Sequence, residues 1–135
     1  GVSLSGGTVT PPGKIAEDGI IGADTIVHWQ KVLGAPTLDG EISGQLPGAE
    51  DYVWNVTSDW VFISTGQGSD TVKLWQTLLN KEIDAGLEVD GYCGEQTVIA
   101  TQKFLNKVLN AGLEVDGILG YQTALYLQKW INKQL

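Results

Sequence analysis

Apolar side chains return three and four residues apart along four stretches of this chain, and each stretch begins at a threonine. Counting from Thr25, Thr71 and Thr123, apolar residues fall mainly at plus 1, plus 4 and plus 8: Ile26, Trp29 and Leu33; Val72, Trp75 and Leu79; Ala124, Leu127 and Ile131. From Thr97 the same positions hold Val98, Thr101 and Leu105. One stripe at this spacing predicts an amphipathic helix with a single buried face, and so four helices. Position plus 7 is apolar in all four (Val32, Leu78, Phe104, Trp130), so Trp29, Trp75 and Trp130 read as packing residues. Between the first two helices the pattern changes. VWNV and WVFIST, separated by TSD, carry the Val, Trp, Phe, Ile and Thr enrichment of strands. They predict a β-hairpin or an irregular extended insert over Tyr52 to Thr65, with Gly66 to Asp70 ending it and capping the second helix.

The helical stretches are copies of one unit. AGLEVDG begins at Ala85 and again at Ala111, a step of 26 residues kept by Thr71, Thr97 and Thr123 and by Gln76, Gln102 and Gln128. The common core, D-G-x-x-G-x-x-T-x-x-x-x-Q-K, starts at Asp18, Asp90 and Asp116. Asp-Gly favours a tight turn, and the second glycine (Gly22, Gly94, Gly120) falls where a helix N-cap is needed. Asp39-Gly40 looks like a further turn of this kind, but no threonine or helix follows it. The repeated glutamines border the core stripe and are expected to hydrogen-bond neighbouring turns. The expected fold is mainly α: a small bundle of four helices built from these repeats, with a β-hairpin-like insert between helices 1 and 2. Repeat 1 spans about 15–48, the insert about 49–68, and repeats 2 and 3 about 69–135. A fixed period of this length marks stacked units that bury their apolar faces only against one another.

Composition narrows the function. The 135 residues hold eight Lys plus Arg against sixteen Asp plus Glu, a formal charge of −8. That disfavours nucleic acid and anionic membranes, whose phosphates demand cations, and suits a neutral or cationic ligand. Residues 1–14, rich in Gly, Ser, Thr and Pro, read as linker, without the charged and apolar regions of a signal peptide. The lack of methionine, at position 1 included, is expected of a fragment or processed product. No catalytic set stands out. One histidine, His28, falls short of the ligands a zinc hydrolase needs. Cys93, the single cysteine, occupies the place of Ile21 and Leu119 and reads as a small apolar residue. The repeated acids are accounted for by their turns, which leaves Glu50, Asp51 and Asp59 as weak candidates for a carboxylate pair. EVDGYCGEQT lacks the alternating acids and terminal glutamate of a calcium loop. Neither metal nor cofactor is expected.

The D-G-x-x-G-x-x-T turns, each followed by a helix carrying Gln, resemble the peptidoglycan-binding repeats at the C-terminal end of phage endolysins and bacterial wall hydrolases. The closest likeness is to tails from phages of lactic-acid bacteria, where segments like LDGEISGQ and GQGSD flank an aromatic insert; it covers about Lys14 to Leu135. His28, Leu74 and Tyr126 depart from the small residue common at that position in the family. The resemblance implies a non-catalytic module over residues 15–135 that tethers an N-terminal catalytic domain to peptidoglycan. Such a protein is made in the host cytoplasm without a signal peptide and acts at the bacterial cell wall. A wall peptide bearing free amines, or a neutral amidated wall, fits the charge better than teichoic acid does. The alternative is a protein–protein assembly or inter-domain module on the same scaffold. Candidate ligand contacts are Trp54, Trp60 and Tyr52 in the insert, which the repeat does not dictate, and Tyr92 and Tyr121 at turn positions. Each has a packing role as its competing explanation.

Overall fold

A computed structural model describes residues 13–135. Its elements in chain order are α1 (Ala23–Leu33), β1 (Ile42–Gln45), a 3-10 turn (Pro47–Asp51), β2 (Trp60–Phe62), α2 (Asp70–Ile83), α3 (Glu95–Leu109) and α4 (Tyr121–Gln134). Among the described residues the fold is thus mainly α, with four helices and one small sheet. Among the described residues no helix is long and apolar enough to cross a membrane.

The expected stripes form the core. Ile26, Trp29, Val72, Trp75, Leu79, Val98, Leu105, Ala124, Leu127 and Ile131 are all buried, while Leu33 at the end of α1 is half-buried. Trp29, Trp75, Phe104 and Trp130 meet edge to face, with ring centroids 5.2 to 5.7 Å apart. This geometry sets the positive edge of one ring against the negative face of the next. Trp75 Nε1 donates to Thr101 Oγ1 at 2.8 Å. Trp29 Nε1 is buried without a partner. Its plus 4 neighbour on the next helix is Trp75, whose ring has no acceptor oxygen to match that of Thr101.

Four buried glutamines lock each helix to the next. Gln76 Nε2 on α2 lies within hydrogen-bond distance of Asp90 Oδ1 (3.0 Å), the Tyr92 carbonyl (3.1 Å) and Thr97 Oγ1 on α3 (3.0 Å). Its Oε1 accepts from the Gly91 N–H at 2.9 Å. Gln102 on α3 repeats this set with Asp116, Ile118, Thr123 on α4 and the Gly117 N–H. Gln128 on α4 repeats it with Asp18, Ile20, Thr25 on α1 and the Gly19 N–H, which joins the last helix back to the first.

The fourth set corrects the reading of Asp39-Gly40. Gln30 on α1 donates to Asp39 Oδ1 at 2.9 Å and to Thr71 Oγ1 on α2 at 3.0 Å, and accepts from the Gly40 N–H. Asp39-Gly40 is therefore the entry turn of α2, with the insert spliced between turn and helix. Packing closes the same circuit, α1 on α2, α2 on α3, α3 on α4 and α4 on α1.

The insert is not a hairpin. β1 pairs with β2 in parallel, Ile42 opposite Trp60, and the stretch between them makes two single parallel bridges to the turns, Val53 with Leu119 and Ile21 with Val56. The physical reason lies in the third residue after each turn aspartate. Ile21, Ile42, Cys93 and Leu119 are buried, and their N–H groups need acceptors that no helix supplies. Ile21 donates to the Asn55 carbonyl, Ile42 to Asp59, Leu119 to Tyr52, and Cys93 to the side-chain Oε1 of Gln45. The insert runs across one end of the bundle as a lid and accepts from all four turns.

Candidate functional site

The lid brings one tryptophan to the surface and buries another. Trp54 is 61% exposed, although its indole Nε1 donates to the Asp51 carbonyl at 2.9 Å. The ring is held in place with its apolar faces in water. Trp60, expected as an equal candidate, is 3% exposed and donates through Nε1 to the Ile21 carbonyl. Trp60 is a core residue that seats the lid, and it leaves the set of candidate contacts. Tyr52 is half-buried against the core, and its carbonyl accepts from the Leu119 N–H. Tyr92 is also half-buried, its hydroxyl donating to the Gly66 carbonyl at 2.8 Å, which ties the end of the insert to the third turn. Tyr121 is 50% exposed at the start of α4, its ring against Gly19 so closely that a Cβ there would overlap it.

Trp54 and Tyr121 line one groove of about 510 Å³ with Asn55, Glu114, Asp116 and Tyr126. The chain builds it from two separate segments. The Trp54 and Asn55 N–H groups both donate to the Leu119 carbonyl, and this backbone pairing brings the indole beside the turn that starts α4. Tyr126 also lines the groove and was not among the expected contacts: its place off the core stripe does not say which turn or lid residue lies beside it. Asp116 accepts from the Gln102 amide and from the Ile118 N–H, which lower its pKa below the ordinary carboxylate range. It stays anionic and shaped as part of its turn. No lysine or arginine is among the residues lining this groove. Nearby, the Lys129 ammonium lies 5.9 Å from the Tyr126 ring centroid and is paired with Glu17 at 2.9 Å.

Of the remaining candidates for chemistry, Glu50 and Asp51 are exposed on the 3-10 turn, while His28, Cys93 and Asp59 are held within the fold. His28 Nδ1 contacts the Asp24 carbonyl within its own helix at 2.8 Å. Cys93 is buried, and that burial pushes its thiol pKa up to about 12, so thiolate is scarce at neutral pH. Asp59 and Thr57 are joined by a hydrogen bond that closes a tight bend in the lid. Among the described residues no three His, Cys, Asp or Glu side chains converge on a point where a metal ion would be held. The expected linker of residues 1–14 lies almost wholly outside the described residues. Lys14, at its end, donates through Nζ to the carbonyls of Asn132 and Leu135 and belongs to the folded unit.

Comparison with known proteins adds no relative: no family model, no curated protein and no solved structure matches this chain.

Proposed function

We propose that this domain is a non-catalytic binding module for bacterial peptidoglycan that holds an attached wall hydrolase on its polymer. The observation that carries the reading is the indole of Trp54, fixed by its own hydrogen bond yet left 61% exposed in a groove shared with Tyr121 and Tyr126. Two large aromatic rings at least half exposed in one groove form an apolar patch, and such a patch supports the reading of a contact surface. The three D-G-x-x-G-x-x-T copies and their resemblance to wall-binding repeats point the same way. Tethering raises the local concentration of the linked enzyme without any chemistry in the module itself. Retention of this chain on purified sacculi, stripped of secondary polymers, tests the reading. Failure to be retained at moderate salt, or release of soluble muropeptides by this chain unaided, overturns it.

A further inference from the structure

The groove has the chemistry of a saccharide site, and we propose that it recognises the glycan strand of the wall polymer and not its stem peptides. This inference rests on the wall-binding reading and names the part of the polymer that is bound. Two aromatic rings from unrelated segments, Trp54 of the lid and Tyr121 of α4, are exposed in one groove. Aromatic faces bind the C–H faces of sugar rings by dispersion and exclusion of water, and the equatorial edge of the sugar then needs hydrogen-bond partners. Those partners are at hand. Glu114 and Asp116 are acceptor-only carboxylates suited to hydroxyl and acetamido N–H donors, and Asn55, whose amide nitrogen already donates to the Gly19 carbonyl, keeps its Oδ1 as a further acceptor.

Charge disfavours the carboxylate end of a stem peptide, whereas a free side-chain amine suits these acids, and titration with stem peptides tests that occupant. Stem peptides end in carboxylates, and the lining residues include no lysine or arginine to receive one. Lys129, at the groove's edge, is already paired with Glu17. Glu114, Asp116 and a net charge of −8 repel such an anion, whereas the glycan strand of the intact wall, with its lactyl carboxyls amide-linked to the stem peptides, is uncharged.

The protein carries its own reporter. Of five tryptophans, Trp29, Trp60, Trp75 and Trp130 are 1 to 7% exposed, so Trp54 alone can change its solvent environment on binding without unfolding. Glycan strands freed of peptide by amidase digestion of sacculi, with the lactyl carboxylates so exposed capped as methyl amides, are titrated against the whole chain while tryptophan emission is followed. Stem peptides from the same digest are titrated in parallel. The expected result is a saturable blue shift with the strands and none with the peptides. Trp54→Ala should lose the shift and weaken strand binding by about tenfold or more, with circular dichroism unchanged. Tyr121→Phe, which keeps the stacking face, should still bind.

Intact sacculi serve as the control in the same series. Retention on sacculi combined with binding of peptides and not strands overturns the saccharide assignment and leaves wall tethering standing. Strand binding that persists unchanged in Trp54→Ala places the site elsewhere and overturns the assignment to this groove. No retention on sacculi overturns both readings.

Discussion

The turn that starts α4 and the turn that starts α3 are the same structure with different side chains. A second groove, of about 360 Å³, is lined by Gly86, Leu87, Glu88, Asp90, Gly94 and their neighbours, each 26 residues before its counterpart in the Trp54 groove. Asn80 clamps the Leu87 backbone as Asn106 clamps that of Leu113, through the same pair of hydrogen bonds. Where the α4 groove has Tyr121 and Tyr126, the corresponding positions of α3 are Glu95, which lines the second groove, and Ala100, which is buried outside it. Where Trp54 borders the former, Tyr92 lines the latter, its hydroxyl tied to the Gly66 carbonyl. The backbone of the repeat therefore makes a groove, while the substitutions and the lid decide whether that groove has aromatic faces. Scaffold and surface chemistry are separable in this molecule.

That separation is open to direct attack. The largest effect is expected from the shared scaffold: Gln76→Ala and Gln102→Ala each strand a buried glycine N–H and remove the amide that bridges to a threonine of the next helix, at a cost of about 3 kcal/mol in denaturant unfolding. The two costs should be nearly equal. A clear inequality would mean that the repeats are not energetically equivalent. Trp54→Ala should do the reverse, lowering sacculus affinity by about tenfold (about 1.4 kcal/mol) with unfolding midpoints almost unchanged. Coupled unfolding in that variant would make Trp54 a fold residue after all.

A smaller contrast concerns the two central tryptophans. Trp75→Phe leaves Thr101 without its donor, whereas Trp29→Phe removes an N–H that has no acceptor, so the former should cost about 1 kcal/mol more. Smallest is the acid dependence of the α4 turn. Because hydrogen bonds to its ionised form depress the pKa of Asp116, its contribution is fully present above the unfolded carboxylate pKa. It is lost as pH falls through the lower folded value. Asp116 is nearly fully solvated, so only a slight flattening of the acid limb is expected in Asp116→Asn, measured as unfolding midpoint against pH.

Helix positions and the core stripe were legible because both depend on neighbours a few residues apart. The glutamine bridges were legible in kind, since a polar residue repeated at the border of a stripe must find partners. The partner of Asp39-Gly40 was not. Its threonine, Thr71, lies beyond the insert, and only the fold brings them to the same Gln30 side chain. The lid misled for a related reason. VWNV and WVFIST have strand composition, and sequence neighbours suggest a hairpin, but the acceptors in this segment are matched to four N–H groups scattered from Ile21 to Leu119. The same matching buries Trp60 and leaves Trp54 outside, a choice of side that composition does not encode. Both tyrosines at turn positions were visible as oddities of the repeat, yet one anchors the insert and the other faces the groove.

The return of Gln128 to the first turn has a topological corollary. A linear array of such bricks would leave a raw edge at each extremity and would admit one more copy or one fewer. Here every brick has two neighbours, so the circuit exposes no raw edge, and the lid shows that new chain can be spliced between a turn and its helix without opening it.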